Sequence, residues 1–307
     1  MKANFVVRLL LALLALSIFG AYSYLRAAYT PFSGELDAAA QYAASEPLPI
    51  AAAPAAEPSA VESVPAVEIA AEPTAEPTPE PTPEPTVDPD SPAGRAAALG
   101  LPAPPEIDVT SWEYTLVNGD HSIGQYVPEQ LAYLNTGADE TDIQLSYNAN
   151  RRAVDARIAQ PLLDMALGCK AAGNPVYLSS GYRSYSDQVA NFRRICENNG
   201  ISDGKIGGYY VTMPAGCSEH QLALCCDITD KYYQTKRDDI VASPTIDWLL
   251  AHCAEYGFIH RFPDGKQEIT GVMNESWHFR YVGVEAATYI MDNHLCLEEF
   301  LALYGVE

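Results

Sequence analysis

The chain is 307 residues long, with 40 acidic against 18 basic side chains and a formal net charge of −22. That balance excludes a nucleic-acid partner, because a phosphate backbone repels such a surface. Composition changes sharply along the chain, so the class of fold has to be read segment by segment.

Lys2 and Arg8 flank the start of an apolar run, Leu9 to Tyr22, interrupted only by Ser17 and Gly20. The run has the length of an export-signal core and is short for a full membrane span, which needs about 20 residues. Residues 1–29 are therefore expected to be an uncleaved signal anchor or a cleaved signal peptide. Either way the rest of the chain leaves the cytoplasm, membrane-anchored or secreted. Residues 30–106, which include AEPTAEPTPEPTPEPTVDPD, are rich in Pro, Ala and Glu. Repeated proline favours extended geometry and spaced glutamates repel, so a disordered, semi-stiff stalk is expected.

An ordered block is expected over 107–307. Glu129 to Asn135 and Ala156 to Ala171 carry helical spacing, with Ile158, Leu162, Leu163 and Met165 on one side of the second. Pro175 to Ser179 reads as a short buried strand. Asp187 to Asn198 reads as a helix, with Ser184 or Ser186 as N-cap and Gly200 as its stop. Leu222 to Thr229 suits a strand buried on both faces. Thr245 to Tyr256 is expected to be a helix closed by Gly257, followed by a strand over Phe258 to Phe262. Trp277 to Val282 alternates like a strand, and Glu285 to Tyr304 holds one or two helices. Without a steady strand–helix–strand rhythm, the fold class is α+β, with a small, mainly antiparallel sheet and flanking helices.

All seven cysteines lie in this block: Cys169, Cys196, Cys217, Cys225, Cys226, Cys253 and Cys296. In an exported chain some are expected to pair, and the odd number leaves at least one thiol free. Their spacing matches no paired C-x-x-C zinc site.

Three clusters carry chemistry. They are Ser218-Glu219-His220 with Asp227 seven residues on, Glu275-Ser276-Trp277-His278 with Arg280, and Ser180-Gly181-Tyr182-Arg183 with Gln188 downstream. Two histidines and an aspartate make a sound ligand set for catalytic zinc, leaving a fourth position for water. Glu275 is suited to act as general base, and Arg183 to hold a carboxylate or stabilise an oxyanion. Residues three apart on a strand face opposite ways, so Glu275 and His278 require a turn or bulge at Asn274 to Ser276. His220 likewise belongs in a turn before its strand.

The text SEHQLALCCDI resembles the SxHxxGxAxD motif of the VanY-type D-alanyl-D-alanine carboxypeptidases. ESWHFRYVG is similar to their ExWHxRYVG, SGYRSYSDQ to their SGYRSxxxQ, and LVNGDHSIGQYVPEQL to their LVN…YxPxxL opening. The four motifs stand in the family's order, from about Trp112 to Val284. The resemblance implies zinc bound by His220, Asp227 and His278, with Glu275 as catalytic base. It implies that Arg183, Gln188 and Ser218 engage the substrate's terminal carboxylate or scissile carbonyl. It further implies a chain, expected to be a monomer, that removes terminal D-alanine from peptidoglycan stem peptides or precursors. The same fold admits an endopeptidase, a D-Ala-D-Ala dipeptidase or a non-catalytic wall-binding module. One cluster departs from the pattern: Ala223 stands at the motif's glycine, and Cys225 and Cys226 replace small or aliphatic residues. On a regular strand Cys225 shares the face of Asp227, as an inhibitory thiolate ligand of the metal, a redox-sensitive neighbour of it, or simply a small buried residue.

Overall fold

The structure, a computed structural model, describes residues 88–134, 143–146 and 150–306. The export segment and most of the expected stalk lie outside the described residues. The described chain begins before Ile107, however. Helix α1 (Pro92–Ala98) is capped by the Ser91 hydroxyl, which accepts from the Gly94 amide. Ala96 is fully buried, and Leu101 and Ile107 pack on the same cluster. The Arg95 guanidinium donates to the Leu303 carbonyl at 3.0 Å, and Tyr289 and Tyr304 donate to the carbonyls of Pro102 and Pro105. The boundary expected at 106/107 therefore falls inside packed structure. Alanines and prolines of 88–106 read as stalk by composition, but here they cover apolar surface supplied from the far end of the chain.

The longer helices that follow are α2 (Ala159–Ala171), α3 (Tyr185–Asn199), α4 (Pro244–His252), α5 (Val284–Asp292) and α6 (Leu297–Leu303), beside two single turns, Asp238–Val241 and Gln267–Thr270. The strands are β1 (Leu131–Tyr133), β2 (Gln144–Leu145), β3 (Ala153–Asp155), β4 (Tyr177–Ser180), β5 (Lys205–Ile206), β6 (Tyr209–Tyr210), β7 (Cys225–Thr229), β8 (Phe258–His260) and β9 (His278–Tyr281). Five form the main sheet in the order β2-β4-β7-β9-β8; only the β2–β4 pair is parallel. The α+β fold with a mainly antiparallel sheet is thus present.

Local rules account for most of these elements. Ser184 caps α3 by accepting from the Asp187 amide, and Gly200 ends it at φ +65°, a left-handed conformation that glycine adopts without strain. α4 runs on through a 3-10 turn to Gly257. Glu129 to Asn135, expected to be helical, instead contains β1, which pairs antiparallel with β3. Its apolar spacing is too short to distinguish the two periods, and a partner strand decides the outcome.

Along β7 the side chains alternate. Cys226 and Ile228 enter a core with Leu162 and Met165 of α2, Leu249 of α4, Leu178 and Phe279. Cys225 and Asp227 face the other way. All seven cysteines are free thiols and all are buried, so the expected pairing is not present. Adjacent Cys225 and Cys226 point to opposite faces of their strand, and the others are distributed over separate elements.

Candidate active site

β7 and β9 are neighbours, with Asp227 opposite His278 and Cys225 opposite Arg280. β9 begins at His278, one residue later than the alternation implied. The turn before it closes through the His278 amide, which donates to the Glu275 carbonyl at 3.0 Å. This turn brings Glu275 back beside its own histidine, with Glu275 Oε2 3.7 Å from His278 Nδ1. His220 stands in a 3-10 turn (Glu219–Gln221) before β7, as its spacing required.

Each imidazole is oriented by its second nitrogen. His220 Nδ1 donates to the Gly181 carbonyl at 2.7 Å, leaving Nε2 free as a ligand atom. His278 Nε2 lies 3.2 Å from Glu219 Oε2 and donates to that carboxylate, leaving Nδ1. The freed nitrogens converge on one oxygen: Asp227 Oδ1 is 3.4 Å from His220 Nε2 and 3.0 Å from His278 Nδ1. Lys236 binds the other oxygen, Oδ2, and so fixes which one faces the histidines. Gly181 is required where it stands, because a Cβ there would lie 2.2 Å from the Ala153 carbonyl oxygen.

The electrostatics fit a cation. Burial opposes charge on His278, yet the Cys225 sulfur, Asp227 and Glu219 raise its pKa well above the ordinary value. His220 is raised against burial by Cys225 and Asp227. Burial alone would raise Asp227, but Lys236 and His220 hold it well below the usual carboxylate range. Burial would also raise the Cys225 thiol; the two histidines bring it down to about 7. Glu275 is raised, chiefly by burial, which suits a group that must accept and return a proton. Two histidines that attract protons beside a buried carboxylate form a site short of positive charge. The donor set of two imidazole nitrogens and one carboxylate oxygen is that of catalytic zinc.

The site opens on a cleft of about 650 Å3, lined by Arg183, Gln188, Ser218, His220, Asp227, Glu275 and His278 among others. All seven residues singled out by sequence therefore meet in one cavity. Arg183 Nη1 donates to Gln188 Oε1 at 2.6 Å and Nη2 to Ser180 Oγ at 3.3 Å, while its buried Nε has no partner. Gln188 is itself tied to the Met213 carbonyl. Burial lowers the Arg183 pKa, and a guanidinium lining the cleft is suited to pair with an anionic group there.

Sequence reasoning gave no role to Glu219, Lys236 or Arg261. Glu219 Oε1 accepts from Arg261 Nε at 2.7 Å and Arg280 Nη1 at 2.8 Å, and its carboxyl is held well below the usual range. Arg261 in turn forms a two-pronged pair with Glu298. Glu219 lies beside His220 in the chain, which was the available signal. Lys236 and Arg261 meet the site only through the tertiary fold.

A family profile described as VanY, D-alanyl-D-alanine carboxypeptidase, matches residues 151–284. A D-alanyl-D-alanine carboxypeptidase of Enterococcus faecalis is 34% identical over 205 residues, covering 63% of this chain and 67% of that protein. The chain belongs to the VanY family. VanXYC of Enterococcus gallinarum, a bifunctional D-Ala-D-Ala dipeptidase and carboxypeptidase, is 36% identical over 130 residues, covering 41% of this chain and 65% of that protein. Among solved structures, the LdcB LD-carboxypeptidase aligns with TM-score 0.53 at 30% identity, over 62% of this chain and 86% of that one. The span matched by the VanY profile contains all seven residues singled out by sequence, together with Glu219, Lys236 and Arg261.

Proposed function

We propose that this chain is a zinc-dependent D-alanyl-D-alanine carboxypeptidase that removes the terminal D-alanine from peptidoglycan stem peptides or precursors. The observation that carries this is the convergence of His220 Nε2, His278 Nδ1 and Asp227 Oδ1 beside Glu275, in a cleft that also holds a guanidinium with an unpaired nitrogen. Bound zinc supplies a Lewis acid that polarises the scissile carbonyl and makes a water nucleophilic near neutral pH.

The chain's own residues supply the rest. Arg183, steadied by Gln188 and Ser180, pairs with the free carboxylate of the last residue and thereby positions the final peptide bond. Ser218, on the same cleft wall, supports that end of the substrate. Glu275 takes a proton from the attacking water at Oε2 and passes it to the departing amine of D-alanine. Because Arg183 demands a terminal carboxylate, internal peptide bonds are poor substrates.

The substrate places the chain on the outer side of the membrane. The apolar run Leu9 to Tyr22 holds it there as a membrane anchor, or directs secretion if cleaved. Among the described residues no helix is long and apolar enough to cross a membrane. The catalytic block works as a monomer.

A second reading, favoured by the alignment with LdcB, is cleavage of an L,D bond by the same machinery. The deciding experiment incubates purified protein of known metal content with a pentapeptide ending in D-Ala-D-Ala and, separately, with the corresponding tetrapeptide. Loss of one alanine from the pentapeptide, abolished by a chelator and restored by zinc, is the expected result. Cleavage of the tetrapeptide alone moves the assignment to the L,D bond. Intact peptides at full zinc occupancy defeat both readings and leave a wall-binding module.

A further inference from the structure

The strand that carries Asp227 presents a second metal-binding atom on the same face. Cys225 stands two residues before Asp227 on β7, so its side chain points with the aspartate toward the histidines and away from Cys226 and the core. The donor atoms of His220, Cys225 and His278 all lie within 4.8 Å of one another. Cys225 is fully buried, while Glu275 lines the cleft and remains partly accessible. The β7–β9 register sets Cys225 opposite Arg280, which reaches past it to Glu219 and leaves the sulfur to the histidines.

We infer that Cys225 is a fourth protein ligand of the zinc ion, giving a resting site of two histidines, one aspartate and one thiolate. This rests on the zinc reading above and adds to it a state of the metal. Catalytic zinc sites usually keep one position for water, whereas four protein ligands make a closed, tightly held site. Thiolate is among the strongest zinc donors, and one beside the two histidines would compete with water for the fourth position. Turnover then requires either a fifth ligand, which zinc accepts during catalysis, or release of the thiolate as substrate binds. Both routes leave Cys225 unchanged covalently.

The test uses the full-length protein stripped of metal and reloaded with cobalt or zinc. Cobalt-loaded wild type is expected to show visible ligand-field bands together with a thiolate-to-cobalt charge-transfer band in the near ultraviolet. Cys225→Ser is expected to keep the visible bands and lose the ultraviolet one. Zinc-loaded wild type, read by X-ray absorption, is expected to show a sulfur neighbour near ~2.3 Å. Because this last measurement is made on the wild-type protein, it stands even if a variant fails to fold. Chelator competition is expected to give zinc binding on the order of tenfold weaker or worse in Cys225→Ala, since loss of a direct ligand should cost no less than loss of an outer hydrogen bond. Visible bands without sulfur, or an ultraviolet band that survives in Cys225→Ser, overturn the inference and leave the zinc peptidase intact. A wild-type protein that takes up no metal overturns both.

Discussion

Ala223 adopts φ +60° while fully buried, a backbone conformation that a Cβ disfavours by about 1 kcal/mol. The related motif has glycine at this place, and the structure supplies the reason: the chain must reverse between the His220 turn and β7. Ala223→Gly is expected to raise the unfolding free energy by about 1 kcal/mol, read by denaturant titration, without moving the site. A loss of stability would show that the methyl group contributes more by packing than it costs by strain. On the proposed assignment, Glu275→Ala separates chemistry from metal binding, because Glu275 stands 3.7 Å from His278 Nδ1, whose ring is already oriented by Glu219. Activity is expected to fall roughly 10²–10⁴-fold with zinc content unchanged, measured by mass detection of released alanine and by metal analysis. Full activity in that variant would remove Glu275 from the proton transfer. At this scale the sequence was informative: His220, Asp227, His278, Glu275, Arg183, Gln188 and Ser218 were all named from motifs and all line one cleft. Glu219 stood in one of those motifs without a role and Lys236 in none, because adjacency alone does not say that a side chain steers its neighbour. Their roles exist only once Arg261, Arg280 and Asp227 are brought to them.

Elements were legible where their ends are marked chemically. Ser184 and Gly200 bracket α3, Gly257 closes the turn after α4, and the geometric conflict between Glu275 and His278 located a turn before β9. They were illegible where pairing decides: β1 has apolar residues that suit a short helix equally well, and the β5–β6 hairpin is too brief to leave a periodic trace. The link between elements that matters most to the site is Glu219, which joins the His220 turn to β9 through His278 and Arg280, and to β8's end through Arg261. Glu219→Gln removes the charge that both buried guanidinium groups face. Zinc affinity is expected to fall ~10–100-fold, by chelator competition, because glutamine leaves one acceptor oxygen for three donors and no charge to fix the His278 tautomer. Unchanged affinity would mean that the β7–β9 register alone orients that ring.

On the scale of the whole molecule, α1 and the segment after it are part of the fold although their composition belongs with the preceding proline-rich run. A protein starting at residue 107 loses the buried Ala96 and three hydrogen bonds to α5, α6 and the residues after them. It is expected to be less stable than one starting at residue 88 by at least about 2 kcal/mol, compared by thermal or urea unfolding. Equal stability would show that this cover is dispensable. Glu298 ties α6 to the site's outer network. Burial alone would raise its carboxyl, but Arg261 holds it below the ordinary value. A depressed carboxyl stabilises the fold above its unfolded pKa, and that contribution is lost as pH falls through the folded value. Glu298→Gln is therefore expected to cost about 2 kcal/mol near pH 7 and progressively less in acid. A penalty independent of pH would point to packing rather than charge.

β7 is hydrogen-bonded on both sides, to β4 and to β9, and carries two of the residues that face the metal position. In hydrogen–deuterium exchange, the amides of this central strand are expected to open only with the whole domain, and those of α1 and β2 at the margins in cheaper, local events. Asp227 and Cys225 therefore stand on the part of the fold expected to open last, so the face they present to the histidines outlasts the fraying of the domain's edges.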